Sequence, residues 1–193
     1  MVSEDNTITK RIDTGKWTPE SIHSSHINGD ILVGMTYQEY AKVNRYTMTG
    51  RKKQILVLDN HDYDMFDLPH YITENKRGDI CISDWCYNSV VVVKKSGEYR
   101  LSYEIQDESR ELQPYGICTY DENHFLVCDR HSETVHFVKH DYTRTIKSKT
   151  YPILTSEQEV NEPRALCLDY ENNLHVGQSN TNIVKVFKIQ GHN

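Results

Sequence analysis

Apolar residues in this chain come in short runs, and turn-forming residues separate them. Examples are Ile31-Leu32-Val33, Ile80-Cys81-Ile82, Phe125-Leu126-Val127 and Leu174-His175-Val176. No segment carries apolar residues at i, i+3, i+4 and i+7 over a helix length, so the pattern predicts strands. In Val90-Val91-Val92-Val93 the alternation puts Val90 and Val92 on one face and Val91 and Val93 on the other.

The runs recur. Four segments begin at Pro19, Pro69, Pro114 and Pro163, spaced 50, 45 and 49 residues apart. Each proline leads a short apolar run, then a pair such as Gly29-Asp30, Gly78-Asp79 or Asn172-Asn173, then a second run. Proline has no N–H to give and suits the first residue of a strand. Gly and Asn tolerate the positive φ of a tight hairpin. A third run follows in register (Val90 and Val92, Val135 and Phe137, Val184 and Val186), and Tyr99 to Ile105 makes a fourth in the second repeat. In the first repeat the third run is read as displaced by an insertion around Tyr37 to Lys42. Four strands in roughly 45 residues make one propeller blade. Helical solenoids of similar period are excluded by the missing helical periodicity.

The predicted fold is all-β: about four blades, at about 17–66, 67–111, 112–160 and 161–193, preceded by an N-terminal tail over 1–16. The tail segment Thr7 to Asp13 alternates like a strand. It could supply the missing outer strand of the last blade and close a four-bladed ring. A partial ring of a larger propeller is the reading preferred here.

Charge narrows the function. The net charge is −6, and nucleic-acid affinity rests on phosphate neutralisation, so a polyanion partner is disfavoured overall. Met1 to Lys10 hold no apolar run, so no signal peptide is expected, and no stretch is long enough to span a membrane. Five cysteines without a C-x-x-C pair read as reduced, buried core residues, which points to a cytoplasmic location. No Gly-x-Ser-x-Gly elbow, phosphate loop or His-Glu-x-x-His is present. On that ground the chain is expected not to be an enzyme, with no cofactor and no metal.

The pattern Pro-x-x-Ile, Gly-Asp-Ile-x-Ile-x-Asp, Asn-x-Val-x-Val and a closing Gly resembles the NHL repeat. It is clearest with Asp79, Asp84, Asn88, Val90, Val92 and Gly97. The third repeat keeps Asp129, Val135 and Phe137; the fourth keeps Asn182, Val184, Val186 and Gly191 but has Gln178 for the Asp, and the first has Met35 there. Over residues 12–191 the chain is similar to the C-terminal propeller of tripartite-motif proteins, of a type expanded in molluscs. The resemblance implies a six-bladed ring and a recognition role, as the substrate-binding part of a ubiquitin ligase whose RING segment is not in this sequence.

Candidate binding residues lie just before the first strand or after the second: Trp17, His70, Tyr71, Trp85, Tyr87, Tyr115, Arg130 and Arg164. Aromatic and Arg side chains dominate interface energetics. A protein partner is therefore the leading expectation. RNA is the rival, through stacking rings and the recurring Lys94, Lys139, Lys188, Arg100 and Arg144. A third class, a propeller hydrolase, would bring acids such as Glu20 and Glu74 to the axis. Asp84 and Asp129 read as turn caps rather than metal ligands. His131, His136 and His140 read as surface residues, and the acidic stretch from Asp59 to Asp67 as a solvated connector.

Overall fold

The computed structural model describes residues 12–56, 64–104, 112–139, 149–179 and 181–189. Among the described residues, fifteen strands form four antiparallel sheets, each made of strands consecutive in the chain. Blade 1 comprises β1 (Thr18–Ser24), β2 (Ile31–Tyr37), β3 (Tyr40–Tyr46) and β4 (Lys52–Leu56). Blade 2 comprises β5 (Pro69–Glu74), β6 (Ile80–Asp84), β7 (Ser89–Val93) and β8 (Tyr99–Glu104). Blade 3 comprises β9 (Pro114–Thr119), β10 (His124–Asp129), β11 (Thr134–Lys139) and β12 (Lys149–Leu154). Blade 4 has three described strands, β13 (Pro163–Leu168), β14 (Asn173–Gln178) and β15 (Val184–Lys188). No helix among the described residues is long and apolar enough to cross a membrane.

The repeat is visible in the pairing. Pro19 sits opposite Met35, Pro69 opposite Asp84, Pro114 opposite Asp129 and Pro163 opposite Gln178. Next to each proline the register shifts by a bulge, which follows from a strand start that cannot donate to the ladder. Gly29, Gly78 and Asn172 take positive φ in the hairpins between the first two strands.

Strand alternation then builds the core. Ile80, Ile82, Val91 and Val93 face blade 1 and pack with Leu32, Val43 and Leu56. The opposite face of the same sheet, Cys81, Val90 and Val92, packs with Ile117, Phe125 and Val127 of blade 3. Leu126 and Cys128 in turn meet Leu174 and Val176 of blade 4. The arc ends in exposed apolar residues, Ile183, Val184 and Val186, on the far side of blade 4.

The first strands of successive blades touch, β1 with β5, β5 with β9 and β9 with β13, so they form the inner wall. Close approach there requires Gly116. A Cβ at this position would lie 2.7 Å from the Ala165 Cα and 2.8 Å from both the Arg164 carbonyl oxygen and the Leu166 nitrogen. All three are backbone atoms and cannot swing aside. Gly116→Ala is therefore expected to cost about 2 kcal/mol, the usual scale of overpacking, read as a lower urea midpoint at unchanged slope.

Two expectations need correction. Tyr37 to Lys42 is not an insertion: Gln38, at φ 55°, turns β2 straight into β3, and Thr36 pairs with Ala41. The turn is simply shorter than the one between Asp84 and Ser89. Not every cysteine is a core residue either. Cys81, Cys118 and Cys128 are buried, but Cys86 and Cys167 are exposed. Burial pushes the Cys81 thiol up to about 12, and partial burial with Asp67 pushes Cys86 up to about 11, which leaves both poor nucleophiles. Residues Thr7 to Arg11 lie outside the described residues. Ile12 packs against the outer face of blade 1 with Trp17 and Met35, not against blade 4.

Candidate functional site

The residue after each anchoring proline stands near the start of an inner strand, at one end of the inner wall. These four residues are Glu20, His70, Tyr115 and Arg164, one per blade. The His70 and Tyr115 rings meet edge to face, with centroids 5.1 Å apart. The Arg164 guanidinium lies 5.4 Å from the Tyr115 ring centroid and that of Arg130 5.8 Å from it, both within cation–π reach. Trp85 borders the same ring at 6.5 Å. Glu20 is positioned by the Thr36 hydroxyl, which donates to its carboxylate at 2.6 Å. An open cleft of about 490 Å³ runs along this wall, lined by Glu20, Ile22, His70, Tyr71, Ile72 and Arg164 among others.

His70 carries the chemical interest. Both of its ring nitrogens are shielded from solvent and have no hydrogen-bond partner among the described residues. Burial lowers its pKa and Arg164 adds to the effect, while Glu20 and Asp84 oppose it. The imidazole is thus held neutral at pH 7, with a lone pair to offer. A two-dimensional NMR pH titration is expected to place its midpoint below the ordinary histidine value of about 6.5.

The predicted binding residues divide. His70, Tyr71, Tyr115 and Arg164 converge, with Trp85 and Arg130 at the border. Arg130 is also held by Glu162, at 3.1 Å. Tyr87 stands exposed on the turn after Trp85. Trp17 is elsewhere: it packs on Tyr37 at 5.8 Å under the Lys42 ammonium, on the outer face of blade 1. Glu74 does not reach the axis. It is buried at the opposite rim, where Arg45 binds it at 2.6 Å.

The capping residues behave as local chemistry requires. Asp84 accepts four backbone N–H groups, from Asp67, Leu68, Cys86 and Tyr87. Asp129 accepts from Gln113 and His131 and from the Ser132 hydroxyl. Burial alone would raise the Asp129 pKa; His136, Ser132 and these amides outweigh it and hold the group below the ordinary carboxylate range. His136 points inward at Asp129, 3.7 Å away, and is not a surface residue. His140, Arg144, Asp59 and Asp62 lie outside the described residues. The recurring lysines do not form one free basic rim. Lys94 pairs with Glu98 at 2.9 Å, whereas Lys139 and Lys188 line a separate cleft with Phe137 and Phe187.

No protein-family model matches the chain, and no curated protein matches its sequence. Solved structures do match. A catalytically inactive histidine-to-alanine variant of virginiamycin B lyase from Staphylococcus aureus, with quinupristin, superposes at TM-score 0.66 and 13% identity, covering 93% of this chain and 55% of that one. A streptogramin B lyase matches at TM-score 0.65 and 16% identity, covering 99% of this chain and 61% of that one. A 6-phosphogluconolactonase-like protein from Bacteroides fragilis matches at 0.58 and 13% identity, with 89% and 56% covered. The chain is a β-propeller arc. It spans little more than half the length of these structures, and identities this low speak for the fold alone.

The propeller corrects one expectation directly. The chain was expected not to be an enzyme because linear catalytic motifs are missing. Solved structures of the same fold include lyases, so missing linear motifs do not argue against catalysis, and that inference fails. The physical reason lies in the architecture. A propeller assembles a site from single residues one blade apart, and such a site leaves no short motif. The likeness to the NHL repeat stands at the level of the propeller, since no family model supports the finer assignment.

Proposed function

We propose that this propeller binds a small anionic ligand in its inner cleft and performs acid–base chemistry on it. The observation that carries the reading is that Glu20, His70 and Arg164, which follow the anchoring prolines of three blades, line a single cleft, while the buried Tyr115 ring packs against His70 and Arg164. Both His70 nitrogens are shielded in the resting fold, so the base role requires the ring to turn a nitrogen toward the ligand in the cleft; a neutral imidazole so turned can take up a proton. The Arg164 cation is suited to hold a carboxylate and to stabilise negative charge developing beside it. Glu20 is placed to return or relay a proton. The cleft volume fits a ligand of drug-like size. The substrate class that this set favours is an ester or lactone bearing a carboxylate, opened by elimination or hydrolysis. NHL-type blade construction belongs to the same proposal, supported by the Pro-to-Asp pairing of blades 2 and 3.

The test is a ligand panel observed at His70. Quinupristin, carboxylate-bearing lactones and simple acyl esters are titrated while the His70 ring resonances are followed, and products are sought by mass spectrometry. A member that shifts His70 and is consumed supports the reading. A panel that leaves His70 unmoved and intact overturns it. The pH profile adds a signed expectation. A lowered histidine pKa keeps the base form available above the ordinary value, so activity is level above about pH 6.5 and falls as pH drops through the depressed pKa.

A further inference from the structure

The opposite rim, away from the inner cleft, holds a second group of potential ligands. His23 is the penultimate residue of β1, His26 lies in the following turn, and Glu74 is the last residue of β5. One ligand atom from each lies within 4.8 Å of the others. Two of these residues present lone pairs that nothing uses. The His23 Nε2 and the Glu74 Oε2 are both shielded from solvent, and neither has a hydrogen-bond partner among the described residues. Glu74 is 1% exposed. Leaving such acceptors unpaired costs free energy, and a bound cation would satisfy both at once.

The surroundings are arranged for orientation. Arg45 donates to the other carboxylate oxygen, Oε1, at 2.6 Å and also faces Asp30 at 3.6 Å. The Glu74 carboxylate is thereby fixed with Oε2 turned away from the ion pair. His26 is exposed and free to change rotamer. In a tetrahedral zinc site, donor atoms stand roughly 3.3 Å apart, so a modest swing of His26 closes the set.

We infer that His23, His26 and Glu74 form a binding site for a divalent transition metal of the zinc class, with one coordination position left to solvent or a ligand. Two imidazoles and one carboxylate suit zinc, whereas magnesium and calcium prefer all-oxygen sets. Because the first and second blades each supply ligands, the metal would pin β1 to β5 at this rim. The site stands apart from the inner cleft and does not depend on the function proposed for it.

The experiment adds Zn²⁺, and separately Mg²⁺, to the metal-free chain. Calorimetry counts the sites, and NMR of the histidine rings reports which of the ten histidines respond. The expected result is one Zn²⁺ bound, His23 and His26 shifting together, and no comparable response to Mg²⁺. His26→Ala removes an exposed side chain, so the fold should survive, and circular dichroism checks that it does. Losing a direct ligand should weaken binding by at least about tenfold, since losing even an outer-shell partner costs that much. Three results would each overturn the site: no Zn²⁺ binding, shifts confined to other histidines, or affinity unchanged in His26→Ala.

Discussion

Replacing His70 with alanine is expected to lower turnover of a panel substrate by about 10²- to 10⁴-fold, the usual worth of a positioned acid–base group. The ring is the titratable centre of the inner cleft, and both of its nitrogens lack protein partners. Its loss removes the proton acceptor without touching a backbone ladder, so the circular dichroism spectrum should not change. His70→Gln makes the point more sharply. It keeps a polar side chain of similar reach but cannot take a proton, and should be nearly as inactive as His70→Ala. Arg164→Ala is expected to act differently: it removes the anion contact, raising KM as well as lowering kcat. Turnover surviving in His70→Gln would remove His70 from the chemistry while leaving it a possible binding residue.

Asp84→Ala is expected to destabilise the fold by about 4 kcal/mol, close to the most that a single change does. Asp84 is fully buried, and its carboxylate joins two loops. It accepts from Asp67 at 2.7 Å and from Leu68, Cys86 and Tyr87, each at 3.1 Å. Truncation strands four backbone donors where water has little access, at roughly 1 kcal/mol each. The equivalent position in blade 4 offers an internal control. Among the described residues, Gln178 accepts the Asn161 amide alone, at 2.6 Å, in an exposed setting. Gln178→Ala should therefore cost no more than about 1 kcal/mol. Urea unfolding of both variants decides the matter, and equal losses would refute the role assigned to Asp84.

Much of this architecture is legible in the sequence. The four prolines, the hairpin pairs and the alternation of Val90 to Val93 all follow from chemistry within a few residues. Each strand start opposite an Asp, or opposite its Met or Gln replacement, was legible as a repeat. The misreadings share one cause. The stretch from Tyr37 to Lys42 looked like an insertion because its two-residue turn departs from the longer turns of the other repeats. Trp17 looked like a rim residue because its place after a loop says nothing about which face its ring covers. His23 and His26, three residues apart, offered a faint signal that no neighbouring motif strengthened. The third member of that group, Glu74, lies on another blade.

The strands, their faces, the hairpins and the caps follow from local chemistry, since these depend on periodicity, φ preferences and short-range hydrogen bonds. Which equivalent residues meet depends on how the blades pack in space. Val90 and Val92 are buried while Val184 and Val186 are exposed, although the two pairs occupy the same repeat position. Burial there depends on whether a further blade covers the face. Glu20, His70 and Arg164 share a cleft because separate sheets turn about one axis. No local pattern can encode a proximity between residues a whole blade apart.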